Sequence, residues 1–191
     1  MGAKAFDADQ CRAARADEFS AAGPRTRSRI PHRMNREVPM SPELARPFIN
    51  ATKHVLLNTA ALEVMAGQPY VKQDRAASGS VSALIGITGD RRGTFAISFD
   101  RSTAVHIVRQ MLGDAIEDIV QDVQDAMGEI TNMISGHARL GLVDMGLKLQ
   151  GSTPSVIMGD NHTITYRASA RAIAIPFSCQ AGSFTLEFCF D

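Results

Sequence analysis

Long apolar runs, abundant cysteine and net charge are all missing from this 191-residue chain. No apolar stretch approaches the ~18 residues of a membrane-spanning helix, and Met1 to Ala16 lack the uninterrupted apolar centre of a secretory signal. The cytoplasm is the expected location. With three cysteines, a dense disulfide framework is excluded. Cys11 lies in a polar segment, while Cys179 and Cys189 fall on opposite arms of a predicted hairpin, too far apart along the ladder to bond, so all three are read as reduced thiols. His32, His54, His106, His137 and His162 are read as lying far apart, and no metal held by this chain is expected.

The zero net charge conceals a division. Residues 1–39 hold eight Lys/Arg and five Asp/Glu, a charge of +3, and residues 40–191 hold twelve and fifteen, a charge of −3. The first segment also carries Pro24, Pro31, Pro39 and the run Arg25-Thr26-Arg27-Ser28-Arg29, without helical or strand period. It is expected to be a disordered basic extension. Scattered acids and the lack of interleaved aromatics favour a solvated tail over one that binds nucleic acid or a membrane. The remainder, 45% of the whole chain being hydrophobic and 21% charged, suits one domain with a proper core.

From Met40 the order is readable. Ser41-Pro42-Glu43 reads as a helix start with serine as N-cap, and the spacing of Phe48, Val55, Leu56, Ala60, Leu62 and Met65 predicts a helix to Gly67. Val81–Thr88 and Thr94–Phe99 read as strands joined by the hairpin Gly89-Asp90-Arg91-Arg92-Gly93. Asp100 caps a helix through Leu112, stopped by Gly113, and Asp114 opens another that runs to about Leu140. Strands near Lys148–Gly151, Ile164–Tyr166, Ala168–Ile175 and Ser183–Phe190 complete an α+β fold, an antiparallel sheet covered by helices.

The most informative stretch is Asp125 to Gly136. Ile116, Ile119, Val120, Val123, Ala126, Met127, Ile130, Met133 and Ile134 define the buried stripe of an amphipathic helix. Glu129 and Asn132 lie off that stripe, on a polar row with Asp118, Asp122 and Asp125. Gly128 and Gly136 interrupt the same helix, each at a cost of roughly 1 kcal/mol against alanine. Local rules tend to be broken where function asks for it, so a partner backbone closing onto this face competes with the plainer reading that the glycines let another helix pack closely. A Glu with Asn three residues later arises by chance on the order of once per few hundred residues, so the pair alone is weak evidence.

Its surroundings raise it. The acidic residue followed by Gly-Glu-Ile-x-Asn, an apolar pair and a small residue before Gly, as in Asp125 to Gly136, resembles the motif of the CheC/CheX/FliY phosphatases of bacterial chemotaxis, CheX-type members above all. Pro47-Phe48-Ile49-Asn50-Ala51-Thr52, Thr153-Pro154-Ser155-Val156-Ile157-Met158-Gly159, and Pro176-Phe177 with Gly182-Ser183-Phe184-Thr185-Leu186-Glu187 extend the resemblance over residues 40 to 191. Because it begins there, Met40 is a candidate alternative translation start. None of Glu18, Glu37, Glu43, Glu63, Glu117 and Glu187 has Asn three residues later, so a single Glu-x-x-Asn helix is present, as in CheX-type members.

The resemblance implies a homodimer whose substrate is a phosphorylated CheY-like response regulator. It implies Mg²⁺ on that regulator, Asn132 as the residue that positions the attacking water, and Glu129 as the partner of the regulator's active-site lysine. Gly128 and Gly136 become docking positions. No Lys or Arg stands between Asp114 and Asn132. Asp114, Glu117 and Asp118 suit the positive end of a helix dipole, whereas Asp122 and Asp125 lie deeper and are candidates for steering a basic rim on the regulator. For His137, a capping or solvated role is favoured over catalysis. Two rival functions stay open: a non-catalytic docking or dimerisation module of a chemotaxis or flagellar-switch system, and a phosphatase for a response regulator outside chemotaxis.

Overall fold

The computed structural model describes residues 42–113, 119–166 and 171–191. Ser41, Asp114, Ile116, Glu117, Asp118 and the whole of residues 1–39 lie outside them, as does Cys11. After a 3-10 turn at Pro42–Leu44 come α1 (Ala45–Ala60), β1 (Met65–Ala66), β2 (Tyr70–Val71), β3 (Val81–Gly89), β4 (Gly93–Phe99), α2 (Arg101–Leu112), α3 (Ile119–Asp144), β5 (Leu149–Gly151), β6 (Ser155–Met158), β7 (Ile173–Cys179) and β8 (Gly182–Phe190). The strands form one antiparallel sheet in the order β1-β7-β8-β4-β3-β5, with β2 also on β7 and β6 also on β3. The expected α+β architecture is present.

Alternation along the strands decides the sheet's two faces. Phe95, Ile97 and Phe99 of β4 and Phe184, Leu186, Phe188 and Phe190 of β8 belong to the core beneath the helices. Phe48 of α1 stacks on Phe95, Phe188 and Phe190 at ring separations of 5.4, 4.5 and 6.2 Å, which seats that helix. α3 packs along α1 and over β3. Gly93 is needed at its turn because an added Cβ would meet the Cys189 carbonyl oxygen at 1.9 Å.

Several expectations are corrected. α1 stops at Ala60, not Gly67: Ala61 takes a left-handed conformation (φ 47°) and the Leu62 N–H reaches back to the Leu56 carbonyl at 3.1 Å. The apolar spacing continued because Leu62 is buried after the turn, whereas Met65 is exposed. α3 runs to Asp144, beyond Leu140. Ile164–Tyr166 is not a strand; Thr163 makes only an isolated bridge to Ala76, and Ile164 is buried as a loop residue. β6 was not expected, nor were the two-residue β1 and β2.

The sheet face away from the helices is polar and buried. Ser82 and Ser98 share a hydrogen bond of 2.7 Å, and His162 ties its loop to Ser82 Oγ (2.7 Å) and the Gly159 carbonyl (2.8 Å). Beside them Lys72 Nζ meets Glu187 Oε1 at 2.5 Å and donates to the Ala76 carbonyl, while Tyr166 OH and Ser78 Oγ also donate to the Glu187 carboxylate. Glu187 is fully buried, and that burial holds its carboxyl above the usual range despite Lys72.

Cys179 and Cys189 form no disulfide, and their registers, opposite Gly182 and Thr94, keep them apart. Burial pushes the Cys189 thiol up to about 11. A thiol-specific reagent at pH 8 should therefore modify Cys179 and spare Cys189 in the folded protein, as peptide mapping would show. Equal labelling of both would contradict the burial of β8.

Candidate active-site helix

The Glu129–Asn132 pair stands where the helical period put it. Val123, Met127, Ile130, Ile134, Ala138 and Leu142 are at most 2% exposed and hold one side of α3 in the core. Thr131 is buried with them, its hydroxyl donating to the Met127 carbonyl at 2.6 Å. Glu129 and Asn132 are exposed on the other side, a turn apart, and have no hydrogen-bond partner among the described residues. Two rotatable polar groups are thus carried by a fixed backbone.

Asp125 is exposed one turn before Glu129 and accepts from the Gln121 amide at 2.9 Å; Asp122 is half-buried. Both share the face with the pair, so α3 is acidic towards its N-terminal side. Ile119 and Val120 belong to the predicted stripe but are 38% and 53% exposed, and Met133 is only partly buried. The period is right there, but the core does not reach the first turn.

The glycines separate the two readings of their purpose. A Cβ at Gly128 would touch Val156 Cγ2 of β6 at an ordinary 3.5 Å, and one at Gly136 would meet only the Arg139 guanidinium at 3.9 Å. Neither lets a helix of this domain pack closely. That task falls to Gly141, where a Cβ would stand 3.1 Å from Pro47 of α1. Gly128 and Gly136 leave the α3 surface low on either side of Glu129 and Asn132.

The histidines need a correction as well. His54 of α1 and His137 of α3 are not far apart: their rings lie 4.9 Å from one another, because the antiparallel packing of the two helices joins positions 83 residues distant. His54 Nδ1 faces the Asn58 amide at 3.3 Å. Both line a groove of about 650 Å³ between α1 and the C-terminal part of α3, together with Glu43, Arg46, Asn50 and Asp144. Among the described residues no three His, Cys, Asp or Glu side chains are grouped so as to hold a metal ion.

α1 repeats the burial pattern of α3. Phe48, Ala51, Thr52, Val55 and Leu56 are buried at the spacing of Met127, Ile130, Thr131, Ile134 and Ser135, and Thr52 donates to the Phe48 carbonyl as Thr131 does to Met127. In that correspondence Asn50 and Lys53 stand where α3 has Glu129 and Asn132. The acid–amide pair is therefore carried by one of the two matching helices.

An α+β sheet bearing a single outward acid–amide helix defines a class, and comparison identifies it. Residues 81–178 match the family described as chemotaxis phosphatase CheX. The crystal structure of the chemotaxis protein CheX from Desulfovibrio desulfuricans is 51% identical, with a TM-score of 0.75 over 78% of this chain and 99% of that one. The CheY-P phosphatase CheX of Thermotoga maritima is 25% identical over 121 residues, 63% of this chain and 78% of the relative. The chain matched in the CheX–CheY–BeF₃–Mg²⁺ complex from Borrelia burgdorferi shares the fold at a TM-score of 0.66 and 22% identity, over 78% of this chain and 99% of that one. The protein belongs to the CheX family of chemotaxis phosphatases.

Proposed function

We propose that this protein hydrolyses the aspartyl phosphate of a CheY-like response regulator, with Asn132 orienting the attacking water and Glu129 holding the regulator's active-site lysine. The observation that carries the reading is the exposed, unengaged pair on a helix whose other side is locked into the core. The regulator supplies the acyl phosphate, the Mg²⁺ beside it and the lysine, so no metal is required of this chain. What remains to be supplied is an oxygen nucleophile placed opposite the departing carboxylate oxygen. A carboxamide accepts a hydrogen from that water and can donate to a phosphoryl oxygen, and it stays neutral next to the phosphate's negative charge. As water adds to phosphorus, the bond from phosphorus to the aspartyl oxygen breaks, releasing inorganic phosphate and the regulator's carboxylate.

Glu129 is an anion and serves away from the phosphoryl group. Pairing with the lysine fixes the approach of α3, while Asp122 and Asp125 attract a basic rim and Gly128 and Gly136 admit the regulator's backbone. The catalytic domain in this reading is residues 40–191, acting in the cytoplasm; residues 1–39 are an extension of it. Both edges of the sheet carry exposed apolar side chains, Met65, Tyr70 and Val71 at one and Ile157 and Met158 at the other, which supports pairing with a second copy as a homodimer.

The test is the decay of a ³²P-labelled CheY-type regulator from the same organism in excess Mg²⁺. Accelerated loss of label by the wild type is expected. Glu129→Ala should weaken regulator binding and turnover together, by roughly tenfold each, since a charge-assisted contact is lost. A wild type that binds the phosphorylated regulator without shortening its lifetime would instead make the domain a docking module.

A further inference from the structure

We propose that the exposed face of α3 beyond Gly136, carried by Leu140 and Val143, is an apolar half of the regulator-docking surface and selects among regulators. This rests on the preceding reading of Glu129 and Asn132.

Leu140 is 68% and Val143 46% exposed, in a helix whose other large apolar residues from Val123 to Leu142 are buried, Met133 alone partly so. They are not spill-over from the core stripe. At 100° per residue both point within about 40° of the direction of Glu129, as Gly136 does, so all four share one line along the helix. The outward face thus has two halves: Asp122, Asp125 and Glu129 make one acidic, and Leu140 and Val143 make the other apolar.

Distance assigns the occupant. Measured along the axis from Asn132, Leu140 lies ~12 Å and Val143 ~16 Å away, at 1.5 Å per residue. A small domain is about 30 Å across, so a regulator whose phosphoryl group meets Asn132 reaches ~15 Å to either side, over Leu140 and up to Val143 at its rim. Its surface there is expected to be apolar, because a charged side chain set directly against Leu140 and Val143 would lose water to hydrocarbon. The acidic half favours basic regulators in general, and the apolar half discriminates between them.

The double variant Leu140→Ser/Val143→Ser tests this against the regulator held phosphorylated, or locked by BeF₃⁻ and Mg²⁺. Since both side chains are exposed, the unfolding midpoint should be unchanged. Regulator Kd and KM are expected to rise about tenfold, with the rate at saturating regulator within about twofold of wild type. Unchanged Kd and KM would overturn the proposal, as would a lower saturating rate at unchanged KM. A shift from dimer to monomer with unchanged regulator Kd would assign the patch to a second copy and also overturn it. If the wild type neither binds nor accelerates any regulator of the organism, the phosphatase reading itself fails and this proposal with it; a wild type that works normally beside an indistinguishable double variant rejects the proposal alone.

Discussion

Asn132→Ala should lose the acceleration of regulator dephosphorylation almost completely while binding the phosphorylated regulator as the wild type does. Asn132 is exposed and has no hydrogen-bond partner among the described residues, so its removal leaves no buried group unsatisfied and the fold should be untouched. In the proposed mechanism, what disappears is the group that holds water against the acyl phosphate. A loss of ~10²-fold corresponds to about 2.7 kcal/mol of barrier, a magnitude that positioning a single nucleophile can supply. Single-turnover decay at saturating protein would show the rate falling to that of the regulator alone, with an unchanged concentration dependence of binding. Asn132→Gln is a sharper comparison: it keeps the amide but moves it by a methylene, and a 1 Å misplacement is enough to cost ~10²-fold. Full activity in both variants would remove the chemistry from this face of α3.

Much of that site was legible in the sequence because a helix converts spacing into direction. The three-residue step between Glu129 and Asn132, set against the stripe of Val123, Met127, Ile130 and Ile134, fixed which side of α3 faces water. The strand pair β3–β4 was equally readable, since the tight turn from Gly89 to Gly93 punctuates its apolar runs, and β8 lies close to its expected place; β7, expected at Ala168–Ile175, runs instead over Ile173–Cys179, residues 168–170 lying outside the described residues. What escaped depends on contacts between distant segments. The end of α1 is made by a left-handed alanine rather than a glycine, so nothing in the sequence announced it. The His54–His137 contact arises only when α1 and α3 lie antiparallel, and Gly141, rather than Gly128 or Gly136, admits their close approach. β6 was hidden because its four residues gain strand character only by pairing with β3. Lys72 and Glu187 sit 115 residues apart, so no local spacing links them, yet they meet in the buried interior.

That pair carries the largest effect on stability. Lys72→Met should destabilise the protein by about 3–5 kcal/mol, because it leaves the fully buried Glu187 carboxylate without its cation, a large share of the ~5–15 kcal/mol that holds a domain folded. The double variant Lys72→Met/Glu187→Gln should recover most of the loss, since the Gln oxygen still accepts from one of the Tyr166 and Ser78 hydroxyls, its amide N–H can donate to the other, and no charge is buried. The pH dependence follows from the direction of the shift. Burial holds the Glu187 carboxyl above its unfolded value, so between the two values the native state binds more protons than the unfolded one. Its contribution to stability is therefore greatest in acid and declines as pH rises through the raised folded value. Removing Lys72 takes away the influence that lowers the carboxyl, widening that window upward. Urea unfolding of wild type and Lys72→Met at pH 5 and pH 8 should show a penalty that is larger at pH 8 than at pH 5, because the more of Glu187 is protonated the less it needs a cation. The same penalty at both pH values would mean that Lys72 matters through the packing of its stem and its bond to the Ala76 carbonyl, and not through charge.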